Sequence, residues 1–175
     1  MKNTFTLICG ISLTLVMSGS ARAGQGTRAG QLPAPDDKFV QDAVAGGKTE
    51  VQLGQMAGQK ATSPAVRDFG TQMARDHSGL NVQLERILTE QGISEPGGKE
   101  KSTWSTGSLQ GVSGPDFDRA YMQDMVNDHK NDIGEFKKEA AEGRDPAIRS
   151  WAAQSLPVLE QHLQKAEQTQ SSLSK

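Results

Sequence analysis

Residues 63–92 read SPAVRDFGTQMARDHSGLNVQLERILTEQG. Ser63-Pro64 is a helix start signal, a capping side chain followed by proline at the first helical position, and Gly92 is a stop signal. Between them Val66, Phe69, Met73, Leu80, Leu84 and Ile87 follow the three-and-four spacing of one buried stripe on an amphipathic helix. The stripe has a gap near position 77, where a leucine would serve. The chain places His77 there, with Asp76 beside it. A titratable ring on a core face is costly to desolvate, so it calls for a physical reason.

The same punctuation recurs along the chain. Asp36-Asp37 offers an N-cap for a first helix running to about Lys60, and the helix that starts at Pro64 reaches Gln91. Pro115 opens a third helix that ends near Gly143. Asp145-Pro146 repeats the cap-then-proline signal for a fourth, which fades out after Thr169. Residues 92–114, GISEPGGKEKSTWSTGSLQGVSG, form a polar, Gly- and Ser-rich connection. Two tight helical hairpins joined by one long connection predict an all-α fold, a ferritin-like four-helix bundle over residues 36–170. Extended chain covers about 3.3 Å per residue, so the connection can climb the whole bundle as a crossover or fold back locally. Pro157, inside the fourth helix, removes one backbone donor and predicts a bend.

The flanks read differently. Residues 1–23, MKNTFTLICGISLTLVMSGSARA, carry Lys2, an apolar stretch from Phe5 to Met17 and Ala21-Arg22-Ala23, the pattern of a cleaved secretory signal. That stretch is too short for a membrane span, and no later run is long enough for one. The expected location is the periplasm or the exterior. Residues 24–35, GQGTRAGQLPAP, lack periodicity and predict a flexible tail, and residues 171–175 are read as a C-terminal tail. The one cysteine, Cys9, leaves with the signal, so stability has to come from an ordinary core and not from a disulfide. The whole chain has a net charge of −2, and losing Lys2 and Arg22 makes it more acidic. With no basic stripe, nucleic acid is not an expected partner.

Successive helical residues turn about 100°, which locates each core stripe. On the third helix Met122, Met125, Ile133, Phe136 and Ala140 cluster around His129. On the fourth, Ile148, Trp151, Val158 and Ala166 cluster around His162. The first helix has no histidine, and its stripe of Phe39, Ala43, Gly46, Gly54 and Ala57 centres on Glu50. Each helix thus offers one ionisable residue to the interior, and all three histidines of the chain are used this way. At 1.5 Å per residue, Glu50, His77, His129 and His162 all fall about 18–24 Å from a helix end, in one middle layer. A buried carboxylate needs a partner or a cation, and three imidazoles facing it make a plausible metal shell. Asp76 and Asp132 are further candidate ligands, with Asp128 and Glu160 nearby. The alternative is a Glu–His hydrogen-bond network that only fixes helix register.

The segments DKFVQDAVAGGKTEVQLG (37–54), QMARDHS (72–78), FDRAYMQDMVNDH (117–129) and LPVLEQHL (156–163) resemble a bacterial family of exported proteins of unknown function. That family carries a predicted outer-membrane-protein label and sits in the ferritin-like superfamily. The resemblance implies a ferritin-like bundle over roughly residues 36–168 and places Glu50, His77, His129 and His162 in matching segments. It brings no activity, and nothing in this chain alternates like the strands of a barrel.

Iron-binding ferritin-like proteins carry Glu-x-x-His on two helices. Here the residues three before the histidines are Ala74, Val126 and Leu159, so a standard di-iron carboxylate centre is not expected. His129-x-x-Asp132 is the reversed spacing. Met73 and His77, and Met125 and His129, stand four apart on one helix face, a pairing that suits Cu(I) if the methionines are more than core filler. Tyr121 is a boundary residue or a neighbour of the ligands. The expectation is a metal-binding bundle for iron, zinc or copper, serving metal handling or redox and stress defence. The competing expectation is a non-enzymatic structural or stress-related bundle. No nucleophile–base triad, phosphate loop or glycosidase carboxylate pair stands out.

Overall fold

The structure, a computed structural model, describes residues 30–96, 109 and 111–173. The expected signal peptide, the tail as far as residue 29 and the middle of the 92–114 connection lie outside the described residues. Among the described residues there are four long helices and no strand: α1 (Ala34–Lys60), α2 (Pro64–Glu90), α3 (Gly114–Glu142) and α4 (Pro146–Leu173). The helix ends fall close to the positions that the start and stop signals predict. Gly92 takes φ +69°, while Gly92 N–H bonds to Thr89 and Ile93 N–H to Leu88, so α2 ends in a Schellman turn. Ile93 then packs on the apolar cluster that contains Leu88, the contact that accompanies such a turn.

α1 starts two residues ahead of the expected Asp36-Asp37 cap, with Pro33 at its N-cap and no side-chain cap bond. Asp36 has a different task. It is fully buried, and its carboxylate accepts the backbone N–H groups of Arg144 (3.0 Å) and Asp145 in the α3–α4 turn. Asp118, near the start of α3, does the same for the α1–α2 turn, accepting from Thr62 (3.0 Å) and Ser63 (2.7 Å). Arg67 bonds the carbonyl of Ala61, and Arg149 bonds that of Gly143. The two hairpins are therefore copies at a constant offset, each clamping the turn of the other. Asp36, Pro64, Val66 and Arg67 correspond to Asp118, Pro146, Ile148 and Arg149, and Glu50 corresponds to Asp132. Charged hydrogen bonds of this kind are worth more than neutral ones. Asp118→Ala should lower the unfolding free energy by about 2 kcal/mol, read from urea melts. An unchanged midpoint would show the clamp to be decorative.

These clamps also decide the topology. Asp118 at the start of α3 touches the top turn at Thr62–Ser63, whereas Asp145 at its far end touches Asp36 and Gln91 at the bottom. α2 and α3 thus run the same way, and the connection between them has to climb the length of the bundle. Ile93 packs in the lower apolar cluster and Leu109 in the upper one, as that climb requires. The result is an up–down–down–up bundle with one long crossover, the connectivity of ferritin-like folds.

The core is divided in two. The upper cluster contains Leu53, Ala57, Phe69, Met73, Phe117, Tyr121, Met122 and Met125. The lower one contains Phe39, Val44, Leu80, Leu84, Ile133, Phe136, Trp151 and Leu159. Leu159 takes the buried place on α4 where the wheel puts Val158, which is only partly buried. On every helix a buried ionisable residue separates the two clusters, Glu50, His77, His129 and His162, with Asp128 and Asp132 also buried beside His129 on α3. α1 and α2 approach backbone to backbone just above that layer. A Cβ on Gly54 would stand 2.6 Å from the carbonyl oxygen of Gly70, so only glycine allows the contact. This proximity, one turn beyond Glu50, brings its short carboxylate within reach of α2.

Candidate metal centre

The four residues meet. Glu50, His77, His129 and His162 are each at most 3% exposed. The imidazole centroids are 5.3–5.7 Å apart in all three pairings. One potential ligand atom from each histidine lies within 4.8 Å of those of the other two. A second set, Glu50, Asp128 and His129, meets the same criterion and shares His129 with the first.

Each histidine is tied down at one nitrogen. His77 Nδ1 lies 2.8 Å from Glu50 Oε2, His129 Nδ1 lies 3.0 Å from the carbonyl of Met125, and His162 Nε2 lies 3.0 Å from Asp76 Oδ2. Carbonyls and carboxylates only accept, so a neutral ring donates its N–H there and turns its lone pair to the other nitrogen. Those other nitrogens, His77 Nε2, His129 Nε2 and His162 Nδ1, are buried and have no hydrogen-bond partner. Three lone pairs are thereby presented inside one layer. Carboxylate–histidine and carbonyl–histidine pairs of this type are how proteins orient metal-ligating imidazoles.

The chain matches the family described as a domain of unknown function, DUF4142, over residues 21–169. It belongs to that family. Among solved structures it is similar to the crystal structure of a protein from Streptomyces coelicolor described as secreted and DUF305. The TM-score is 0.68 at 13% identity, covering 80% of this chain and 94% of that one. That likeness concerns the fold. No curated protein matches.

Within this DUF4142 chain the electrostatics favour neutral imidazoles. Burial lowers His77 to about 4, against the opposing pull of Asp132 and Asp76. Burial holds His129 well below the ordinary histidine range, helped by the charges that His77 and His162 would carry. Burial also lowers His162, while its bond to Asp76 works the other way. For Asp76, burial raises the carboxyl, but hydrogen bonds from His162, Arg75 and Gln72 outweigh it and leave the group lowered. A neutral imidazole is the form that binds a metal.

The remaining carboxylates divide by position. Asp132 is buried at the layer, close enough to act on His77. Asp76 is partly exposed and contacts His162 from the flank of α2, where it orients that ring from outside the three-nitrogen set. Asp128, one of the nearby carboxylates in the sequence, joins Glu50 and His129. Glu160 faces solvent and pairs with Lys137 at 2.8 Å, away from the layer. Tyr121 is fully buried between Phe69 and Phe117, with its hydroxyl lacking a hydrogen-bond partner. Burial and the Glu50 charge raise its pKa, so it stays a neutral phenol. Met73 and Met125 lie in the upper apolar cluster next to the layer.

Proposed function

We propose that this chain is an exported metal-binding bundle of the ferritin-like superfamily, serving metal handling or redox and stress defence in the periplasm or outside the cell. His77, His129 and His162 supply three nitrogen ligands. Glu50 completes the shell or bridges to it, Asp76 and Asp132 support it, and a tetrahedral shell of this type suits zinc, iron or copper. One observation carries the reading: each buried imidazole has one nitrogen fixed by an acceptor and the other without a partner. A layer built only for register would lose stability at each such nitrogen, because burying a polar atom unpaired costs about 1–3 kcal/mol. A bound cation turns those costs into bonds. The crossover connectivity supports the superfamily placement, and the apolar stretch from Phe5 to Met17, followed by Ala21-Arg22-Ala23, supports export.

Tag-free protein purified from the periplasm should contain about one equivalent of a transition metal by elemental analysis. Chelation should lower its melting temperature. Returning Zn(II), Fe(II) or Cu(I) at a hundredfold excess over the dissociation constant should restore about 2.7 kcal/mol. Metal-free protein whose melting ignores all three ions would leave the structural bundle as the better reading.

A further inference from the structure

The polar layer is not sealed on all sides. A narrow cavity of about 20 Å³ lies against Glu50, His77 and Asp132 and extends between α1 and α3 past Gly46 to Asp42 and Glu135. A volume of about 10–15 Å³ already holds one water, so this is a space for a single water or a single ion. Outside it, a groove of about 650 Å³ runs between the start of α1 and the end of α3. Phe39, Asp42 and Glu135 line both the cavity and the groove, so the two spaces meet at a pair of carboxylates. At the inner end stands His77, 3% exposed, whose Nε2 has no hydrogen-bond partner.

We propose that a divalent cation reaches the layer through this groove, passing between Asp42 and Glu135 to the Glu50–His77–Asp132 cavity. The proposal rests on the metal-binding reading and adds its access route. The outer groove carries Lys138 and Arg144 beside Glu139 and Glu142, whereas the passage itself has Asp42 and Glu135 at its mouth and Glu50 and Asp132 at its inner end, so a cation entering it meets negative charge at both. Lys38 pairs with Asp42 on the exposed rim, where an ion pair one helical turn apart is weak and easily displaced. Gly46 contributes no side chain to the passage. The rival route is the groove of about 490 Å³ on the α2–α4 side, which reaches Asp76. Its rim carries the Arg75 guanidinium, 2.9 Å from Asp76, and it is lined by none of the three histidines. Of the residues that line the inner cavity it shares Leu80 and no carboxylate.

Stopped-flow binding of Co(II) to the full mature chain, followed by its visible absorption, tests the route. Asp42→Asn combined with Glu135→Gln should slow association on the order of tenfold at low ionic strength and flatten its salt dependence. The final spectrum should match the parent, because the ligands are untouched. Neutralising Glu85 and Glu90, exposed on α2 outside the groove, should leave the rate near that of the parent. An unslowed double variant, equal slowing by the α2 pair, or faster association in Arg75→Gln would each overturn the route while leaving the metal site standing. If the parent protein gives no bound Co(II) spectrum, the metal-binding reading fails and the route fails with it.

Discussion

Replacing His129 by leucine should leave the metal-free protein at least as stable as its parent and abolish every metal-dependent rise in melting temperature. His129 is fully buried, and its Nε2 has no hydrogen-bond partner. Its Nδ1 bonds the Met125 carbonyl one turn back in the same helix, and its Nε2 stands 3.7 Å from Glu50 Oε1, beyond hydrogen-bond reach, while His77 keeps its 2.8 Å contact with the other oxygen of that carboxylate. Leucine fits the stripe between Met125 and Ile133 and removes the desolvation cost of a polar ring. The loss appears only with metal present, as the missing 2.7 kcal/mol or so at a hundredfold excess over the dissociation constant. His77→Leu is the informative contrast. It takes the 2.8 Å donor away from a carboxylate only 3% exposed, and leaving a buried acceptor short of its hydrogen bond costs about 3 kcal/mol. Urea melts of both variants, with chelator and with Zn(II), compare the two. A destabilised His129→Leu beside a parent that ignores metal would return the layer to a packing role.

The two hairpins put that contrast in a wider frame. Their repeat covers the turns, the clamping aspartates and the pair Glu50 and Asp132, yet it does not extend to the histidines. His77 corresponds to Leu159, His129 to Gly47 and His162 to Leu80. The frame is duplicated and the imidazoles are placed one at a time. Packing alone could be met by leucine at all three positions, as it is at two of their counterparts.

How much of this was legible in the sequence follows from the range of each interaction. The helices, their ends and the shared layer depend on local spacing and a fixed rise of 1.5 Å per residue, so they could be read directly. The crossover could not, because its direction is set by Asp118 reaching Thr62 and Asp36 reaching Arg144, contacts between residues far apart in the chain. Asp36 read as a cap for its own helix because capping is the local use of an aspartate. A comparison of the chain with itself would have exposed the matched Asp36 and Asp118, and with them the clamp. Within the layer, the sequence placed Asp76 beside His77, its chain neighbour. In the structure its carboxylate bonds His162 on α4 instead, because adjacent helical residues point about 100° apart. Which nitrogen of each imidazole is tied down is likewise a property of the assembled bundle.

The protein should also be labile to mild acid, well above the pH at which exposed carboxylates are protonated. In the folded state burial lowers His77 to about 4 and His129 well below the ordinary histidine range, and it lowers His162 as well. In the unfolded chain all three titrate near 6.5. Below that pH the unfolded state binds more protons than the folded one, so stability falls as the pH drops from about 6.5 towards 4 and is fully present above 6.5. His77 alone contributes roughly 3 kcal/mol over that window, at about 1.4 kcal/mol per pH unit. Asp76, held below its ordinary value, adds a further loss only beneath about pH 4. Denaturation midpoints at pH 7, 6, 5 and 4 in the presence of chelator should fall steadily, and His129→Leu should show a shallower decline, with one buried imidazole fewer. Bound metal should steepen the fall, because protons and the ion compete for the same three nitrogens. Midpoints that stay level from pH 7 to pH 4.5 would mean that the layer accepts protons without penalty. In an imidazole layer of that kind each second nitrogen would face an acceptor within the fold for its added proton, and the case for a cation among them would be lost.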